Sequence, residues 1–454
     1  MIQDLTTGDS GKVLFHYTIP MFVSVAFQQI DNIADSMIAG RFAGEDALAA
    51  VGASYPVTMI FMAVAIGCNI GCSVVISQLF GAKKYMQLKT AVSTVLIMGF
   101  ALSVLLTLIG LLTTPSMMRA IQTPDNIFRD GALYLRIYIG GFVFLFLYNV
   151  VTGMFNSLGD SRTPLYFLIG SSLGNILLDL LFVAVFEWGV AGVAWATFLA
   201  QGAACILVLL VFRIRLKEID AVSESVLEWN REKRPELFSG TMLYKISLVA
   251  VPSILQQSFV SIGNIFIQSL VNSYGSDVIA GYSAAIKLNT FVITGFTTLG
   301  NGISGFTAQN LGAGQIRRIR EGFHAGIKLA VGVAVCFSVL YFFLGREMMQ
   351  LFLRNTEGTA MQAGIMFLRI VAPFYVVVSL KLAADGVLRG VEAMRYFMIS
   401  TFTDLILRVI LAYILSYRFE STGIWMSWPV GWSVATVLSL CFYRKVLNRV
   451  ESRA

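Results

Sequence analysis

The chain has 454 residues, 57% of them hydrophobic and only 13% charged, with a net charge of +7 and a mean hydropathy of +0.75. A soluble domain carries about 25% charge, and this composition cannot supply the polar surface that a water-facing protein needs. A soluble fold is therefore excluded, and the positive charge needs no nucleic-acid partner because it concentrates between apolar runs.

Residues 1–12 are polar with one lysine, and no small-residue cleavage site closes the first apolar run, so no cleavable signal is expected. Stretches free of Asp, Glu, Lys and Arg cover 47–82, 90–118, 137–159, 188–212, 246–276, 288–316 and 421–443. Each can cross a hydrocarbon core of about 30 Å as a helix. Alternating ten-residue strands are absent, which argues against a β-barrel. Twelve spans are expected, at 13–40, 47–79, 87–112, 130–157, 163–186, 190–213, 243–271, 277–311, 319–344, 359–388, 395–417 and 422–444.

The basic residues fix an expected orientation. Twenty-one of the 33 lie at one set of helix ends, including Lys12, Lys83, Lys84, Arg162, Arg231, Lys233, Arg234, Arg317, Arg318, Arg444 and Arg453. Six lie at the other, among them Arg41, Arg119, Arg354 and Arg418. Both termini are thus expected in the cytoplasm of a cell that carries the protein in its inner or plasma membrane. The longest polar stretch, 214–242, is the one linker by composition. It separates an N-lobe (1–213, helices 1–6) from a C-lobe (243–454, helices 7–12).

The halves repeat. GCSVVISQLFGA at 71–82 aligns with GISGFTAQNLGA at 302–313, sharing Gly71/Gly302, Ser73/Ser304, Gln78/Gln309, Gly81/Gly312 and Ala82/Ala313. Pro20 falls on Pro252, Asn32 on Asn264, Gly153 on Gly386 and Arg162 on Arg395, at offsets of 232 to 233. An even number of helices separates the copies, so both enter the membrane in one direction. The expected fold is an all-α integral membrane protein, with twelve transmembrane helices in two parallel six-helix repeats around a central cleft. That arrangement suits alternating access by a transporter, and no enzymatic activity is expected.

Ionisable groups inside a membrane are costly and mark function unless neutralised locally. In the second half, Lys381/Asp385 and Asp404/Arg408 are each spaced i, i+4, which lets each pair satisfy itself. The first half differs. Asp31 and Asp35 lie one turn apart with no basic residue in their helix, and Asp179 has only Asn175 one turn before it. At the repeat offset Asp31, Asp35 and Asp179 map to Gly263, Ile267 and Ala412, so the fold does not require these acids. Desolvated carboxylates near one another take up a proton at moderate pH or share a sodium ion, with Asn175 and Thr197 as added oxygen ligands. Arg136 is a candidate counter-ion. Pro20, mid-helix and 15 residues before Asp35, marks a candidate bend. Asp31, Gln28, Gln256 and Gln257 are candidates for a substrate cleft. Cys68, Cys72, Cys205, Cys336 and Cys441 read as small core residues, and no metal beyond sodium and no cofactor is expected.

The stretches DSMIAG (35–40) with LAAVG (48–52), SQLFGAKK (77–84), GDSRTP (159–164) and GNILLD (174–179) resemble the multidrug and toxic compound extrusion (MATE) transporters over the whole chain. The resemblance implies secondary active efflux of small amphipathic, mostly cationic compounds, driven by inward H+ or Na+ movement. In the branch with its cation site in the N-terminal lobe, an Asp on helix 1, an Asn and an Asp on helix 5 and a Thr on helix 6 form that site. Asp35, Asn175, Asp179 and Thr197 look like these four, and Pro20 looks like that family's bending proline. The other branch uses a helix-7 Glu, which helix 7 here lacks. A monomer is expected. Two rivals remain: a prenyltransferase, from the D-x-x-x-D of Asp31 and Asp35, and a flippase for a lipid-linked precursor on a similar two-lobe fold, whose cleft would need basic residues such as Lys287, Arg369 and Lys381.

Overall fold

The computed structural model describes residues 3–227, 235–353 and 358–452. Part of the linker (228–234) and the basic residues Arg231, Lys233, Arg234, Arg354 and Arg453 lie outside the described residues. Among those described, every regular element is helical. The chain forms α1 (Ser10–Ile38), α2 (Glu45–Gly81), α3 (Tyr85–Ala120), α4 (Asp125–Gly140), α5 (Phe142–Ser157), α6 (Arg162–Asp179) and α7 (Gly189–Leu227). It continues with α8 (Gly240–Asn272), α9 (Ser276–Gly312), α10 (Ile316–Phe343), α11 (Gly345–Gln350), α12 (Thr359–Val371), α13 (Tyr375–Gly390) and α14 (Met394–Glu451).

Ten helices are long and apolar enough to cross a membrane, and α4 with α5, bent by 48°, makes an eleventh. α14 supplies two spans rather than one. Its 58 residues are broken at Glu420, whose φ of 50° and ψ of −140° reverse the chain. The arms then pack antiparallel, with Gly423 against the Leu415 carbonyl and Ser400 Oγ donating to the Ala435 carbonyl at 3.1 Å. Twelve spans result among the described residues.

Two compact units form. One comprises 1–4 and 23–257, the other 5–22 and 258–454. α1 changes unit two residues after Pro20, and α8 five residues after Pro252. In the first unit Gly71 of α2 receives the N-terminal part of α8: a Cβ on Gly71 would lie 2.5 Å from Ala250 Cβ. In the second unit Gly302 of α9 receives the N-terminal part of α1, and its missing Cβ would clash with Thr18 Cγ2. Gly71/Gly302 and Thr18/Ala250 are repeat equivalents, so the repeat is built by the same close helix approach in each half. Each unit has its own apolar core, Phe61, Phe142, Phe146 and Phe155 in the first and Phe296, Phe367, Trp425 and Trp428 in the second.

Candidate functional site

α1 and α6 carry three acids into the interior of the first unit. Asp179 is 0% and Asn175 4% exposed, while Asp31 and Asp35 are half-buried. Asn175 Nδ2 donates to Asp179 Oδ2 at 2.8 Å, an i, i+4 contact along α6. The Asp35 and Asp179 carboxyls lie near enough to interact with each other. One oxygen each of Asp31, Asp35 and Asp179 is buried without a hydrogen-bond partner, as is Ser172 Oγ, which is near enough to Asp31 to interact with it. Among the described residues no ion pair neutralises any of the three acids. Arg136 is exposed and pairs with none of them. Buried polar atoms left open are rare in native folds, and here they converge.

The backbone is unusual at the same place. α1 passes into a π-helical turn at Ala39–Ala43 directly after the Asp35 turn. α6 passes into another at Leu180–Val185, starting at the residue after Asp179. Ile38, Val183 and Val193 pack together there with Ile176 and Tyr134. π-turns of this kind recur at functional sites. Tyr134 of α4 feels the charge of both Asp35 and Asp179 and stacks on Tyr138, ring centroids 6.2 Å apart. Sequence reasoning missed Tyr134; its i, i+4 spacing with Tyr138 on an amphipathic span was the available signal.

The remaining expected residues are placed less tightly. Thr197 Oγ1 donates to the Val193 carbonyl at 3.1 Å, one turn back on α7, and forms no bond to either carboxyl among the described residues. Gln28 is exposed and Gln256 and Gln257 are half-buried, all in the first unit. Pro20 is buried within α1. Asp160 of the GDSRTP stretch is structural. It accepts from the Thr163 hydroxyl at 2.7 Å and the Thr163 amide at 3.1 Å. Burial pushes the Asp160 carboxyl up and the Thr163 hydrogen bonds act against it, and on balance the carboxyl is held below its ordinary 3.8.

The second unit treats its acids differently. Lys381 Nζ lies 2.7 Å from Asp385 Oδ2 with both side chains buried, and Ser439 Oγ donates to Asp385 Oδ1 at 2.6 Å. Asp404 and Arg408 do not form the expected local pair. The Arg408 guanidinium sits over the Trp428 ring, 4.3 Å from its centroid, because the adjacent arm of α14 offers an aromatic face there. Asp404 instead packs beside Gly431, where a Cβ would come 2.7 Å from Oδ1.

The MatE family pattern matches this chain twice, over residues 20–181 and 252–414. The chain belongs to the MatE family. The two matches begin 232 and end 233 residues apart, which is the offset of the internal repeat. Members are transporters, so the chain is a multi-pass membrane transporter and not an enzyme. It is similar to the probable multidrug resistance protein YoeA of Bacillus subtilis, 29% identical over 96% of this chain and 94% of that one. It is also similar to the probable multidrug resistance protein YpnP of Bacillus subtilis, 25% identical over 94% of this chain and 90% of that one. A solved transporter of the MOP superfamily from Pyrococcus furiosus shares the two-lobe fold, with a TM-score of 0.88 at 22% identity, covering 99% of this chain and 98% of that one.

Proposed function

We propose that the chain is a secondary active multidrug exporter of the MatE branch whose cation site lies in the N-terminal lobe. It expels small amphipathic, mostly cationic compounds by alternating access, in exchange for H+ or Na+ moving inward. The halves 1–213 and 243–454, joined by 214–242, serve as its lobes. It acts as a monomer in the inner or plasma membrane with both termini cytoplasmic.

The observation that carries this reading is the meeting of Asp35 and Asp179 away from any basic side chain, each with an open carboxyl oxygen. Two carboxylates that are desolvated beside each other resist both being charged without a cation between them. A proton or a sodium ion therefore completes the site. Asn175 holds Asp179 in place, Tyr134 packs beside the site, and Thr197 would join from α7 by turning its hydroxyl away from the Val193 carbonyl. Uptake of the ion neutralises the end of α1. Pro20, which withholds one backbone hydrogen bond, lets that helix change its bend as the charge changes. The altered α1 then disfavours the drug site, with Gln28, Asp31, Gln256 and Gln257 on the substrate side.

The test is efflux of a fluorescent organic cation from proteoliposomes under an imposed pH gradient and then a sodium gradient. Efflux under one gradient supports exchange and names the ion. Movement of a fluorescent lipid-linked diphosphate under conditions where the cation stays put would replace this reading with the flippase.

A further inference from the structure

We propose that the second unit holds a phospholipid with a phosphoethanolamine headgroup in an interfacial groove between α1 and α10. A cavity of about 530 Å³ lies there, lined by Asp9, Phe15, Glu321, His324, Lys328 and Leu329 among others. Its floor is Ser10 and Gly11 of α1. Ser10 Oγ donates to Glu321 Oε2 at 3.0 Å, and Gly11 faces Ala325.

The depth of the groove follows from the sequence. On α10 the run from Leu329 to Gly345 carries no charge, and Lys328 precedes it directly. Those 17 residues span about 26 Å as a helix, close to the hydrocarbon thickness. Lys328 therefore stands at the membrane interface rather than in its middle. On α1 the last charge before the apolar run is Lys12, which puts Asp9 and Lys12 at the same level. Below that level the groove wall is apolar, with Phe15 45% exposed. Above it the wall is charged.

The charges are of both signs. Lys328 is exposed and forms no ion pair among the described residues. His324 Nδ1 lies 2.8 Å from the Arg320 carbonyl, so Nδ1 carries the hydrogen and Nε2 is left to face a ligand. Asp9 Oδ1 accepts from the Lys12 amide at 2.8 Å, which leaves its second oxygen. Glu321 is shared between Ser10 and Arg317. Asp9, with Glu321 whose charge Arg317 partly offsets, disfavours a purely anionic headgroup, while Lys328 attracts one phosphate and the His324 Nε2 is left to accept a hydrogen bond. A headgroup with a phosphate and a hydrogen-bonding ammonium satisfies both. Choline cannot donate to Asp9 or Glu321, and glycerol brings no positive charge to them. The acyl chain then runs beside Phe15 and Leu329.

The experiment is native mass spectrometry of the full-length detergent-purified transporter, titrated separately with dioleoyl phosphatidylethanolamine, phosphatidylcholine and phosphatidylglycerol. Retention of the ethanolamine lipid should exceed the others by roughly threefold, the scale of an exposed ion pair. Lys328→Ala and Asp9→Asn should each remove that preference, while a control at Lys245, elsewhere on the chain, should keep it. Both positions are exposed, and thermal unfolding checks that the variants are folded. Equal retention of the three lipids, a preference for the glycerol lipid, or an unchanged preference in both variants overturns the proposal.

Discussion

The two halves of this transporter repeat one scaffold and use opposite chemistry inside it. At the repeat offset Asp35, Tyr134 and Asp179 correspond to Ile267, Phe367 and Ala412. All three of those residues are 0% exposed and belong to one hydrophobic cluster. Asn175 corresponds to Arg408, whose guanidinium is laid on Trp428. The second half fills the place of the proposed cation site with packed apolar atoms and an arginine, which would repel a cation. Its own acid Asp385 is matched by Lys381 and Ser439. The difference separates acids that a fold neutralises from acids that it leaves open. Asp404 also keeps one buried oxygen without a partner, but Arg408 and Lys381 lie near it, whereas only the first half gathers open acids with no basic residue among them.

The largest expected effect is functional. Asp35→Asn or Asp179→Asn should reduce gradient-driven efflux to the background of empty liposomes while leaving the unfolding temperature near that of wild type. Retained efflux in both variants would break the comparison at once. The matched acid should behave in reverse. Lys381→Met strands Asp385 in the interior, which costs about 3–5 kcal/mol. The double change Lys381→Met with Asp385→Leu should recover most of that loss, as read by thermal unfolding in detergent.

The shared scaffold makes the next prediction. Gly71→Ala and Gly302→Ala place a methyl group against the exchanged part of α8 and of α1 respectively. Each should destabilise by about 1–3 kcal/mol, and by similar amounts. Very unequal losses would show that the halves are not built alike. Tyr134→Phe removes one hydroxyl from the open site, worth about 1 kcal/mol. Coupled efflux should slow a few-fold, whereas Phe367→Tyr in the other half should leave its rate unaltered. The smallest effect belongs to the exposed pair Arg320–Glu451, which meets at 2.8 Å. Arg320→Gln should change stability by less than about 1 kcal/mol.

Much of this was legible in the sequence, because a bilayer permits few solutions. Charge-free runs had to be helices, and even the hairpin at Glu420 follows from the need to return after the span ending near 417. The i, i+4 spacing of Asn175 and Asp179 set their contact locally. Three features were not legible, each for the same reason. The π-turns after Asp35 and Asp179 depend on packing between Ile38, Val183 and Val193, which come from three helices. The position of Tyr134 depends on where α4 docks. Arg408 abandons Asp404 for Trp428, twenty residues away around the turn at Glu420. Local spacing states which partners are within reach, and tertiary packing decides among them.

The most direct test compares Asp35→Asn with the double variant Lys381→Met/Asp385→Asn, as rates of gradient-driven cation efflux per folded molecule in matched proteoliposomes. The account predicts that Asp35→Asn is folded and inactive while the double variant, once folded, still transports. An active Asp35→Asn beside a folded but inactive double variant would move ion coupling to the second half and contradict it.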